Sequence, residues 1–237
     1  MLHYLRIGLL APLLFYQGKQ VRKITPVLPE PHGARKWGSR EAKFPILLIG
    51  DSSAAGVGAS TQADALLGQL ARRLKPYDVS ITLVARTGAT SADALHWLQD
   101  VSTKYFAAVI TVFGVNHVVA NHTQQRWLRE QSALFTELQR LFDEPEVFSC
   151  GLPPMHCFPA LPQPLRWCLG ARAIAFDTAL KRLTGAHSKH HYCAIKVNQT
   201  PDMMAHDGFH PSTQGYQTWS QQLATQLLKV LHLKTIE

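Results

Sequence analysis

Cysteine is scarce in this chain. Cys150, Cys157, Cys168 and Cys193 are the only four in 237 residues, and no two form a Cys-x-x-Cys pair. That excludes a disulfide framework and leaves reduced or buried thiols. Long apolar runs are also missing. Ile7 to Tyr16, broken by Pro12, falls short of the ~20 apolar residues a spanning helix needs. No small-x-small cleavage site follows it, and Gln17-Gly18-Lys19-Gln20 comes instead. The stretch from Gly50 to Ala55 lacks the second glycine and the lysine of a phosphate loop. Gly56-Val57-Gly58 runs on to Thr61, where a dinucleotide fingerprint requires Gly or Ala. There is no His-Glu-x-x-His motif, no internal repeat and no low-complexity tract. His206, Asp207 and His210 are all metal-ligand types, but they match no recognised ligand motif. The sequence therefore calls for no cofactor and no metal.

The charge that is present is unevenly placed. The net charge is +8, yet residues 1–44 alone hold eight Lys/Arg against two Asp/Glu. A nucleic-acid enzyme spreads basic residues over its folded domain, so no nucleic-acid partner is expected. The basic segment suits contact with anionic lipid head groups, and the competing reading is a solvated tail. Taken with the apolar run before it, residues 1–18 read as an uncleaved interfacial anchor. Lys/Arg after that run would keep the rest of the chain on the cytoplasmic face, with a periplasmic or secreted location as the alternative.

The chain divides into an apolar segment (1–18), a basic linker containing Pro26, Pro29, Pro31, Gly33 and Gly38 (19–44), and a folded domain (45–237). Within the domain, strand-like runs at 45–50, 79–85, 107–113, 146–150 and 191–195 alternate with helix-like stretches. These stretches lie at 62–74, 91–100, 123–142, 166–184 and 212–232. The first three strands are near-continuous apolar runs, as strands buried on both faces are. The alternation predicts an α/β fold with a parallel sheet of about five strands, helices on both faces, and a ligand site at the carboxyl ends of the strands.

Four motifs fall at those ends. Gly50-Asp51-Ser52 follows the first strand and can expose a serine hydroxyl at the mouth of the sheet, although Asp and Ser are also routine helix caps. Gly88, in Arg86-Thr87-Gly88-Ala89-Thr90, can turn its amide toward the same place. Asn116, in Gly114-Val115-Asn116-His117, offers a side-chain amide as an oxyanion donor. Asp207-Gly208-Phe209-His210 puts a carboxylate three residues before an imidazole, close enough in a turn to fix its tautomer. A serine, a histidine and a carboxylate are the minimum set for nucleophilic acyl transfer.

With these four motifs in this order, residues 45–232 resemble the SGNH (GDSL-like) hydrolase family of esterases and lipases. Gly50-Asp51-Ser52 is similar to its first block, Gly88 to its second, Gly114-Val115-Asn116 to its third, and Asp207 to His210 to its fifth. The resemblance implies a three-layer flavodoxin-like fold and makes 45–237 the catalytic domain. It implies Ser52 as nucleophile, His210 as base and Asp207 as its orienter. It also implies an oxyanion hole from the Ser52 amide, the Gly88 amide and the Asn116 side chain. One residue departs from the pattern, since the third block usually ends in Asp and here the residue is His117. The implied reaction is hydrolysis of a small-molecule or lipid carboxylic ester. Thioesterase, lysophospholipase and carbohydrate deacetylase activities share the same chemistry, and a non-catalytic membrane-peripheral binding protein is the rival from another class. The apolar, proline-stiffened stretch from Leu152 to Trp167 suggests a pocket wall, with Phe158 and Leu161 as its candidate substrate contacts.

Overall fold

Ile46, Leu47, Leu48 and Ile49 are apolar without interruption because their strand is covered on both faces. Ile46 and Leu48 point into one apolar cluster, and Leu47 and Ile49 into another on the opposite side. All four are fully buried. The computed structural model, which describes residues 2–195 and 200–235, places this strand at the centre of a six-stranded sheet. The strands are β1 (Lys36–Trp37), β2 (Phe44–Gly50), β3 (Val79–Ala85), β4 (Ala108–Val112), β5 (Glu146–Cys150) and β6 (His190–Cys193). Their order is β1-β3-β2-β4-β5-β6, and every pairing except β1 with β3 is parallel. Without the short antiparallel edge strand β1, this is the 2-1-3-4-5 order of doubly wound flavodoxin-like sheets.

The helices are α1 (Leu2–Ile24), α2 (Ser52–Ala55), α3 (Leu66–Leu74), α4 (Ser91–Leu98), α5 (Val115–Val119), α6 (Gln124–Leu141), α7 (Leu165–Thr184) and α8 (Thr213–Val230). Helices α3 and α8 cover one face through Leu66, Leu70, Leu74, Trp219, Leu223 and Leu227. Helices α4, α6 and α7 cover the other through Leu98, Trp127, Leu134, Leu138, Phe176 and Leu180. The five expected strands and five expected helices all form, with ends shifted by a few residues.

The N-terminal segment departs from its expected form. Residues 19–24 are helical rather than linker, because α1 continues to Ile24 with Pro12 inside it. No proline falls between residues 13 and 25, and Val21 finds a buried site in the core. The Gln17 side chain bonds the Gln163 carbonyl at 2.7 Å and the Leu165 N–H at 3.1 Å, fastening α1 to the start of α7. The first part of the apolar run, Ile7 to Leu9, lies outside the described side chains. Among the described residues, no helix is long and apolar enough to cross a membrane. Residues 25–44 also do more than link. They supply β1, a bridge from His32 to Thr61, and two anchoring side chains, Glu30 and Arg35.

Candidate active site

Strand β2 delivers Ser52. The strand ends at Gly50, where a Cβ would stand 2.5 Å from the Val112 carbonyl oxygen, so only glycine lets β2 and β4 pack this closely here. Asp51 then caps α2 by accepting from the Ser53 N–H at 2.9 Å, which makes Ser52 the first helical residue. Further along the same loop, a Cβ on Gly58 would come within 2.2 Å of the Pro211 carbonyl. That contact seats the serine loop against the loop just past His210. The Tyr216 hydroxyl, from α8, donates to the Val57 carbonyl at 2.7 Å and closes the same junction.

His210 is held by its own turn. One oxygen of Asp207 accepts from the backbone N–H of Phe209 at 2.9 Å and of His210 at 3.0 Å. The other lies 2.6 Å from His210 Nδ1. The second imidazole nitrogen, Nε2, lies 2.9 Å from the Ser52 hydroxyl oxygen, across 158 residues of sequence. With Asp207 ionised, Nδ1–H donates to the carboxylate and Nε2 is left to accept from the hydroxyl. Burial alone would push the Asp207 carboxyl up. The imidazole and the two backbone N–H groups outweigh it and hold the group below its ordinary value. Asp51 shows the opposite balance. It is buried, and desolvation pushes its carboxyl up to about 6 despite the Ser53 N–H and the nearby His210.

The structure thus brings Ser52, Asp207 and His210 into one hydrogen-bonded line. Gly88 has a φ of 82° in open space, a left-handed conformation that suits glycine. The Asn116 side-chain amide donates to the Ala89 carbonyl at 2.8 Å, tying the third motif to the Gly88 loop and leaving its second N–H. A cavity opens at Ser52 and His210, and Phe113, Val115, Phe158, Met204, Phe209 and Trp219 give it an apolar wall. Phe158 is among the lining residues. Leu161 is not, although the two residues are equally buried and pack in the same apolar cluster. Gly88 and Asn116 are not among the lining residues either. His206, next to Asp207 in the chain, is exposed, and the Asp207–His210 hydrogen bond does not involve it.

Several contributors carried no readable signal. Met203 enters the cavity from the end of a short 3₁₀ turn, Met204 from the bridge to Pro211 that follows it, and Trp219 from α8. Glu30 accepts from the Thr87 N–H and hydroxyl, both at 2.8 Å, and pairs with Arg35. Arg35 in turn donates to the Ala85 carbonyl at 2.8 Å. The supposed linker therefore straps down the loop that holds Gly88.

Residues 48–218 match the GDSL-like Lipase/Acylhydrolase family. Among curated proteins, no sequence matches the chain. Solved structures do resemble it. A lipase, Lip_vut3 from a goat rumen metagenome, is 17% identical with a TM-score of 0.62, covering 77% of this chain and 97% of its own. The psychrotrophic esterase EstA from Pseudoalteromonas sp. is 16% identical with a TM-score of 0.61, covering 79% and 98%. Est24, a carbohydrate acetylesterase from Sinorhizobium meliloti, is 18% identical with a TM-score of 0.63, covering 79% and 100%. At such identities the likeness is one of fold.

Proposed function

The chain belongs to the GDSL-like lipase/acylhydrolase family of ester-hydrolysing enzymes, and on that premise we propose that it cleaves carboxylic esters through Ser52, His210 and Asp207. The observation that carries this reading is the unbroken line from Asp207 through both imidazole nitrogens to the Ser52 hydroxyl, with separations of 2.6 and 2.9 Å. His210 takes the serine proton as Oγ attacks the ester carbonyl, and Asp207 steadies the imidazolium that results. The Ser52 and Gly88 amides and the free N–H of Asn116 receive the oxyanion. His210 returns its proton to the departing alcohol, then activates a water that releases the acid from the acyl-enzyme.

The wall of Phe113, Val115, Phe158 and Phe209 suits an apolar acyl chain. That favours simple or lipid esters over the sugar acetates implied by the carbohydrate acetylesterase Est24. Thioesters and lysophospholipids present the same acyl group and belong to the same reading. Hydrolysis of p-nitrophenyl acetate and butyrate by wild type and by Ser52→Ala tests it. Loss of turnover in the variant is the expected result, and equal rates would remove the serine mechanism.

We further propose that α1 rests on a lipid surface. Its exposed Leu13, Phe15 and Tyr16 share the helix with exposed Lys19, Arg22 and Lys23, and Lys19 Nζ lies 4.5 Å from the Phe15 ring centroid, so apolar and positive groups are presented together. Co-sedimentation with phosphatidylserine vesicles should fall when Phe15 and Tyr16 are replaced by serine. Sedimentation that is absent, or unchanged by the replacement, rejects the contact.

A further inference from the structure

His117 stands where the family pattern has aspartate, and its side chain is fully buried. Its Nε2 lies 2.8 Å from one oxygen of Glu130 and 3.1 Å from the Ser91 hydroxyl. Its Nδ1 has no hydrogen-bond partner among the described residues. Five residues on, the His122 ring meets it edge to face with centroids 5.4 Å apart, and His122 Nδ1 is likewise buried and without a partner. Leaving a buried polar atom unsatisfied costs about 1–3 kcal/mol, so two unpartnered nitrogens on adjoining rings, one of which holds a carboxylate through its other nitrogen, call for an explanation. One potential ligand atom from each of His117, His122 and Glu130 lies within 4.8 Å of the others.

We propose that His117, His122 and Glu130 bind a divalent transition-metal ion, with zinc as the best fit to the donors. Two borderline imidazole nitrogens and one hard carboxylate oxygen are a donor set at home on zinc, with bonds of about 2.0–2.2 Å and a fourth position for water. Such bonds set donor atoms ~3.4 Å apart, which small side-chain rotations reach from the present spacing. Burial holds the His117 imidazole toward its neutral form, the form that ligates. The other Glu130 oxygen already receives Arg126 Nε at 2.6 Å, and the half-exposed Arg126 is the cation an incoming ion must share the carboxylate with. The ion would pin α5, which carries Asn116, to α6, which carries Glu130. Its role is therefore structural, and it is independent of the Ser52 chemistry.

The test uses the untagged full chain after chelator treatment, titrated with zinc chloride by calorimetry and with cobalt chloride by visible absorption. The expected result is one equivalent of zinc bound, with the strong absorption of four-coordinate cobalt. His122→Ala and Glu130→Gln, both at only partly buried positions, should each weaken binding by at least about tenfold and abolish the cobalt bands. Zinc should raise the melting temperature of the wild type and leave that of the variants unmoved. The absence of binding overturns the proposal. So does binding that both substitutions leave intact, which would put the ion on other histidines such as His187, His190 and His191.

Discussion

Glu30 and Thr87 lie 57 residues apart, and the Glu30 carboxylate accepts both the Thr87 N–H and the Thr87 hydroxyl at 2.8 Å. Thr87 precedes Gly88, so this pair sets the position of the loop whose amide is proposed to meet the oxyanion. Replacing Glu30 with Ala frees that loop without touching the cavity. Turnover on p-nitrophenyl butyrate should fall roughly tenfold with KM little changed, since small displacements of positioned groups are costly in the transition state. An unaltered kcat would show that the strap does not position Gly88.

The Asn116 amide divides its two hydrogens between the Ala89 carbonyl, at 2.8 Å, and the proposed oxyanion. Asn116→Ala removes both. Turnover should drop by about 10²–10³, with a smaller change in KM. A drop in thermal stability with full activity would make the residue a loop tie only.

Phe158 and Leu161 lie three residues apart and are both buried in one apolar cluster, but only Phe158 lines the cavity. Phe158→Ala should shift the preference across a p-nitrophenyl ester series toward longer acyl chains. Leu161→Ala should leave that preference alone and cost about 2–5 kcal/mol of stability by denaturant unfolding. An unchanged acyl profile in the Phe158 variant would exclude that ring from substrate contact.

Asp51 carries a pH signature. Its folded value of about 6 stands above the ordinary 3.8, so between about pH 4 and 6 the folded state holds a proton that the unfolded state has lost. Its contribution to stability is therefore lost as pH rises through that window, and above pH 6 the buried carboxylate is a standing cost. Asp51→Asn keeps the cap on Ser53 and removes that charge. The variant should gain up to about 3 kcal/mol at pH 8 relative to pH 4, read from urea unfolding at both values. An equal gain at both would mean the carboxylate titrates normally in the fold.

The local patterns in this chain were legible because their causes are local. An uninterrupted apolar run such as Ile46 to Ile49 has few uses other than a strand covered on both faces. Asp207 and His210 sit at the spacing of one turn, so their pairing could be read from four residues of sequence. Leu161 was misplaced because an apolar residue in a proline-rich loop reads alike whether it faces a ligand or the core. The helical form of residues 19–24 was missed because Val21 owes its burial to packing, which no neighbouring residue announces.

By itself, then, the sequence determined the α/β alternation, the parallel sheet and the residue types available at its open end. Each of these follows from periodicity or from short-range geometry. Only the tertiary structure decided that Ser52 Oγ lies 2.9 Å from His210 Nε2, that Glu30 clamps Thr87, and that donor atoms of His117, His122 and Glu130 come within 4.8 Å of one another. These contacts join residues that are distant along the chain, or that pack from separate elements. Their distances come from how helices settle on the sheet, and that is a property of the packed core as a whole.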